Sequence, residues 1–344
     1  MLVRIGVLTG GGDCPGLNAV IRGVVRKGQR HYGDELLGFT DGWKGVVEDN
    51  FESLNVDKMQ HTLPLGGTVL GTSRFNPFKA EGGVEAVLNT FDRNNLDALI
   101  SIGGEGTLSC TLEMYKRGLN VVGVPKTIDN DIGATERTFG FDTAVAIATD
   151  AIDRLRTTAE SHNRVMVVEV MGRHVGHIAT WAGIAGGATK ILIPEEPFDI
   201  EEVCASLRRR HEGGRYASVV VVAEGANPTE GTMDMPPEVF DEFGHVRLGG
   251  IAYRVAPEIE ARTGYETRVT VLGHVQRGGT PTAYDRVLST RFGVAAIDAV
   301  HDQNWGSMVA LQRDKIVCVP LEEAVADLKY VADDLWETAK QFFA

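Results

Sequence analysis

Short runs of Val, Ile and Leu alternate along the chain with longer segments of helical periodicity, and several of these runs break directly into glycine. The runs are Val3 to Leu8, Asp97 to Ile102, Val121 to Val124, Val165 to Val170, Lys190 to Ile193 and Ala217 to Ala223. Apolar runs with no polar alternate face predict strands buried on both sides, so the pattern predicts an α/β fold on parallel sheets. The transitions VLT-GGGDCPG, ISI-GGEGT, VGV-PKTIDND, VEV-MGRHVG and VVA-EGA put polar loops at the carboxyl ends of five strands. An open parallel sheet binds its ligands at those ends.

At 344 residues the chain exceeds the size at which one core keeps growing, so two domains are expected, each a βαβ block, with the first ending near residue 140. A net charge of −13 argues against a nucleic-acid backbone or an anionic membrane as partner, since both require a basic face. If phosphates are the ligands, clustered arginines, loop amides and a metal must bind them locally. Cys14, Cys110, Cys204 and Cys318 are too scattered for a metal knuckle and too few for a disulfide framework, so reduced thiols and a cytoplasmic location are expected. The start MLVRIGVLTGGG has too short an apolar run for an export signal, and no run of about 18 apolar residues predicts a membrane span.

Three loops carry the chemistry. Thr9 to Gly16 follows a strand and precedes a helix starting near Leu17. Glycine there lets backbone amides and a helix N-terminus approach a phosphate, and a plain strand-to-helix turn is the alternative. Gly103 to Thr107 adds Glu105, placed to hold Mg²⁺ bridging donor phosphates, although NAD kinases and lipid kinases use similar glycine-acid-glycine loops. In Pro125 to Asp131 a lysine and two aspartates meet at a strand end, where an aspartate can accept the proton of an alcohol undergoing phosphorylation. Asx turns and helix caps use the same residues structurally. Arg74, Arg164, Arg173, Arg268 and Arg277 all lie near strand ends or glycines, and their forks suit phosphate oxygens, while a surface ion pair is the commoner role for any one of them alone.

In this order GGGDCPGLNAVIRG, LGTSRF, GGEGT, PKTIDND, SHNRVMVVEVMGRH and TVLGHVQRGGTPTAYDR resemble the phosphofructokinase A family. The resemblance runs from Ile5 to about Ala344, and the mixture of GEGT with PKTIDND resembles its actinobacterial, mixed-substrate branch. It implies two Rossmann-like parallel-sheet domains with the chain crossing back between them: 1–140 plus 277–327 for the phosphoryl donor, and 141–276 plus 328–344 for fructose 6-phosphate. It implies Mg²⁺-dependent transfer to the sugar's 1-hydroxyl, as in glycolysis, by a homotetramer.

Position by position, the resemblance makes Asp129 the base, with Thr127 and Lys126 beside it, and Arg74 and Arg173 at the phosphoryl group in transit. Gly12, Trp43, Arg74, Phe75, Gly104, Glu105, Gly106 and Thr107 fall to the donor, Glu105 being the metal carboxylate and Trp43 an aromatic against adenine, with core packing as the alternative for the tryptophan. Thr127, Ile128, Asp129, Met171, Gly172, Arg173 and Glu224 fall to the sugar, and His274, Val275, Gln276 and Arg277 to its 6-phosphate side. Arg164 and Arg268 match arginines supplied by a neighbouring subunit. Arg22, Arg26 and Arg156 match effector-site arginines of allosteric bacterial members, with Thr189 where those have a metal-binding glutamate.

Two positions point to different donors. Gly106 matches ATP users, because the aspartate that pyrophosphate users carry there would crowd and repel an α-phosphate. Lys126 matches pyrophosphate users, but a cation adds attraction and excludes nothing. The expected donor is therefore ATP, with pyrophosphate as the alternative.

Overall fold

In a computed structural model, residues 3–234 and 248–343 are described. They begin β1 (Arg4–Gly10), α1 (Leu17–Lys27), β2 (Glu35–Phe39), α2 (Trp43–Val47), β3 (Phe51–Leu54), α3 (Gly83–Asn94), β4 (Ala98–Gly103) and α4 (Glu105–Tyr115). Then follow β5 (Val121–Thr127), β6 (Phe139–Gly140), α5 (Phe141–His162), β7 (Val165–Val170), α6 (His177–Ala185), β8 (Lys190–Leu192), α7 (Ile200–Glu212) and β9 (Ser218–Ala223). The remainder is α8 (Ala252–Thr263), β10 (Thr267–Val271), α9 (Ala283–His301), β11 (Ser307–Gln312), β12 (Lys315–Pro320), α10 (Leu321–Ala326) and α11 (Asp333–Lys340).

The chain divides into two compact units, Met1–Thr143 with Arg277–Lys329 and Ala144–Gln276 with Tyr330–Ala344. The first holds a sheet in the order β12-β11-β5-β4-β1-β2-β3, with β6 beside β5. Its centre is parallel, and antiparallel β3 and β12 close the edges. Residues of β4 and nearly all of β1 and β5 are buried, as strands covered on both faces must be. The second unit holds an all-parallel sheet in the order β10-β7-β9-β8. Its core joins Val165, Val167, Val220 and Val222 to Leu207, Val255 and Ile259 of α7 and α8. The α/β class with parallel sheets is as the apolar runs predict.

The antiparallel edge strands β3 and β12 do not stand out as apolar runs. In β12 exposed and half-buried residues outnumber the buried Val319, and β3 buries only Leu54. An edge strand needs no continuous apolar run, because one side faces solvent. The cysteines are free thiols, with Cys14, Cys110 and Cys204 buried and Cys318 exposed. Among the described residues no helix is long and apolar enough to cross a membrane.

Candidate active site

In the first unit, strand register puts three loops at one level. Gly10 of β1 pairs with Gly103 of β4, which pairs in turn with Pro125 of β5. The segments 11–16, 104–107 and 126–131 therefore lie side by side at the carboxyl edge of the sheet. The neighbours are tightly fitted. A Cβ on Gly10 would meet the Thr107 hydroxyl oxygen at 2.6 Å, and one on Gly103 would run into the same side chain, so only glycine admits Thr107 between the strands.

The first loop is held by hydrogen bonds from its own unit. Gly11 takes the left-handed backbone (φ 79), its N–H donates to the Ser73 carbonyl at 3.0 Å, and its carbonyl accepts from the Thr72 hydroxyl at 2.6 Å. That second segment carries Arg74, which is exposed, and Phe75, which packs against the core. Gly12 lies under the Arg277 guanidinium, which occupies the space a side chain at 12 would need. The Lys126 amine donates to the Gly12 carbonyl from below. Lys126 is buried, and burial pulls its amine below the ordinary lysine range, with the Cys14 and aspartate charges opposing. The same burial pushes the Cys14 thiol far up, so Cys14 is an inert core thiol.

At the second loop α4 starts directly at Glu105, so its carboxylate sits on the positive end of that helix. Glu105 is exposed, accepts from the Ser109 hydroxyl at 3.1 Å, and follows Gly104 in extended backbone. A Cβ on Gly106 would meet nothing within 4 Å. Among the described residues no three His, Cys, Asp or Glu side chains converge as metal ligands. One carboxylate with open space above it fits Mg²⁺, which takes one or two carboxylates and completes its shell from phosphates and water.

At the third loop the Asp129 N–H donates to the Thr127 hydroxyl at 3.1 Å, with Ile128 buried beneath. Asn130 is buried at a positive φ of 55, and its Oδ1 accepts from the Thr138 N–H at 3.0 Å. Asp129 is half-buried, so its environment is that of a group with one face toward solvent.

The expectation for Trp43 is corrected. Its side chain is 2% exposed and packs with Phe39, Val46, Val87 and Leu99 in the core, so it offers no face to a nucleotide base. It begins α2 directly after Gly42, and Trp43, Gly45 and Val46 are the buried residues of that helix.

In the second unit Met171, Gly172 and Arg173 follow β7, and Glu224 follows β9, which pairs with β7 in parallel register. The Arg173 N–H donates to the Glu224 carboxylate at 3.2 Å, and Arg173 takes a positive φ of 54 without being glycine. Such strain persists only where neighbours over-determine it. The Met171 N–H donates to Gln276 Oε1 at 3.3 Å, while His274 and Val275 are exposed in the turn after β10. Arg164 and Arg268 lie elsewhere. Both contact Glu266, Arg164 at 2.8 Å, and Arg268 is paired with Met166 at the start of β7. That is the amino end of the sheet, roughly 20 Å from Met171 at about 3.3 Å per residue. Within one chain they do not join the other sugar-site candidates.

Arg22 and Arg26 of α1, with Arg30, line a cavity of about 210 Å³ together with Asp57, Met59 and Gln60. Arg156, in the other unit, donates to the Gly186 carbonyl, and Thr189 is buried, its hydroxyl accepting from the Val219 N–H. Lys329 also meets the third loop. It lies far along the chain from the loops and has no motif around it, yet its amine donates to Asn130 Oδ1 at 2.9 Å.

A model of the family described as "Phosphofructokinase" matches residues 4–300. A pyrophosphate–fructose 6-phosphate 1-phosphotransferase of Amycolatopsis methanolica is 58% identical over 99% of this chain and 100% of its own length. An ATP-dependent 6-phosphofructokinase of Mycobacterium leprae is 53% identical over the same shares. The crystal structure of Pichia pastoris phosphofructokinase in the T-state superposes with a TM-score of 0.84 at 32% identity, covering 99% of this chain and 36% of that one.

Proposed function

The chain belongs to the phosphofructokinase family, and from that premise we propose that it transfers a phosphoryl group from ATP to the 1-hydroxyl of fructose 6-phosphate. The observation that supports this best is the register that sets the Gly11–Gly12 loop, Glu105 and the Asp129 turn at one edge of one sheet. Phosphoryl transfer requires little covalent chemistry from a protein; it needs phosphates held, charge neutralised and an alcohol deprotonated in line.

Asp129 is the base. It takes the proton of the 1-hydroxyl as the oxygen attacks, with Thr127 positioning the sugar. The amide of Gly12 and the helix start at Glu105 receive the donor phosphates. Glu105 would hold Mg²⁺, which would neutralise charge developing between the donor's phosphates. Arg74 and Arg173 steady the phosphoryl group in transit, and Arg277 the anions on its side. Met171, Gly172, Glu224 and Arg173 hold the sugar, with His274, Val275 and Gln276 on its phosphate side. Arg164 and Arg268 act on the 6-phosphate of a neighbouring copy in a homotetramer, a role supported by their lying at the far end of their own sheet.

The ATP assignment rests on Gly106, where the absence of a side chain leaves open space. A second reading, with pyrophosphate as donor, is favoured by the buried Lys126 amine under the first loop, by the loss of Trp43 as an adenine platform, and by the name of the Amycolatopsis relative. One assay decides between them. Purified protein with fructose 6-phosphate and Mg²⁺ receives ATP in one cuvette and pyrophosphate in the other, and fructose 1,6-bisphosphate is measured. Turnover with pyrophosphate alone overturns ATP; turnover with neither overturns the function.

A further inference from the structure

Lys329 closes the first unit's last segment, and its side chain enters the turn that follows β5. The amine donates to Asn130 Oδ1 at 2.9 Å, to the Thr135 carbonyl at 2.9 Å and to the Glu136 carbonyl at 3.1 Å. An ammonium carries three protons, and three acceptors meet it here. The Lys329 backbone N–H also donates to the Asp131 carbonyl at 2.9 Å, beside an antiparallel bridge between Ile132 and Leu328. Main chain and side chain of one residue thus grip both ends of a single turn.

That turn is the one carrying Asp129. It contains two non-glycine residues in the left-handed region, Asn130 (φ 55) and Ala134 (φ 59). Left to itself, such a backbone relaxes. Asn130 Oδ1 also accepts from the Thr138 N–H at 3.0 Å, and the Thr138 hydroxyl donates to the Thr127 carbonyl at 2.8 Å. Lys329, Asn130, Thr138 and Thr127 therefore form a connected network around the residue between Ile128 and Asn130. The charged groups acting on the amine are Arg137, Asp131 and Glu136. Burial first, and Arg137 second, pull Lys329 down to about 7 against the two carboxylates.

We propose that Lys329 is a positioning residue for phosphoryl transfer: its amine locks the Asn130 turn so that the Asp129 carboxylate is aimed at the hydroxyl it deprotonates. The inference rests on the reading of Asp129 as the base. Lys329 acts through the turn it holds, so its loss acts on kcat through Asp129 and leaves sugar binding largely alone.

The test compares wild type with Lys329→Met and Lys329→Gln, using the donor the wild type accepts, and follows amide hydrogen exchange across residues 127–139 without substrate. Lys329→Met is expected to lower kcat at least tenfold, to change the KM for fructose 6-phosphate less than threefold, and to speed exchange in the turn at least tenfold. Lys329→Gln, which keeps two donor protons, should fall between. A kcat for Lys329→Met within twofold of wild type, or a change confined to KM, overturns the proposal. If Lys329→Met does not fold, Lys329→Gln decides, and full wild-type kcat there overturns it. If the wild type turns over neither donor, the base assignment falls; exchange still tests the lock, and unchanged protection in Lys329→Met rejects it.

Discussion

The Lys126 amine is hydrogen-bonded to the carbonyl oxygen of Gly12, so the end of β5 and the loop after β1 are joined by a buried lysine. The hydrogen bond holds the Gly12 carbonyl on the buried amine, while the Gly11 N–H donates to the Ser73 carbonyl, so the loop is tied at two successive residues. Lys126→Met removes that hold while filling the same volume. Its kcat/KM for the donor is expected to fall at least tenfold, about 1.4 kcal/mol, and further with pyrophosphate than with ATP. Steady-state rates with each donor measure it. Unfolding should stay close to wild type, since replacing a buried cation by an apolar side chain of similar volume is often neutral. Equal rates in the two proteins would exclude a role for this contact in donor binding.

Gly106 has open space where a Cβ would lie and an ordinary backbone, so Gly106→Asp should fold normally. The added carboxylate is expected to cut kcat/KM for ATP at least tenfold, about 1.4 kcal/mol or more, and to spare pyrophosphate. An unchanged ATP rate would remove the steric account of donor choice.

Asp129→Ser keeps a small polar group on the turn and removes the base. We expect kcat to drop by about 10²–10⁴-fold, the usual range for a general base, with fructose 6-phosphate binding by calorimetry within threefold of wild type. Undiminished kcat would take the role of base from Asp129.

Asp285, at the start of α9, is buried and accepts from the Thr143 N–H at 2.8 Å and the Thr143 hydroxyl at 2.5 Å. Burial pushes its carboxyl up to about 6, and the Thr143 hydrogen bonds offset only part of that. A carboxyl raised on folding contributes stability that is complete below about pH 4 and lost as pH rises through about 6. The loss is on the order of 3 kcal/mol, and Asp285→Asn lacks it. Urea unfolding of both proteins at pH 4 and pH 7.5 should show a stability gap that shifts by that order toward the variant at the higher pH. Parallel pH dependence in the two would show that Asp285 does not titrate this way.

The most legible parts of the sequence were those where one local rule decides. β7 runs over Val165–Val170, as its apolar run predicts, and α1 begins at Leu17, where the glycine loop ends. A strand buried on both faces leaves an uninterrupted apolar run, and a glycine loop marks where it stops. β3 and β12 carry weaker marks, because each is a partly exposed edge strand whose place is set by the one strand it pairs with, β2 and β11. Of the two readings of Trp43, the buried ring matches core packing, for a related reason. A local motif names the residue type but not the side of the sheet on which it packs, and the core claimed the ring.

The sequence alone thus determined the parallel α/β class, the loops that follow β1, β4, β5, β7 and β9, and the polar and charged residue types those loops carry. These follow from hydrophobic periodicity and from the backbone freedom of glycine, both of which act over a few residues. Only the tertiary structure decided that Arg277 lies on Gly12, that Lys126 is buried beneath it, and that Lys329 reaches Asn130 from 199 residues away. Such contacts are set by strand order and register, which fix which strand ends share an edge, and no local pattern encodes a pairing across that separation.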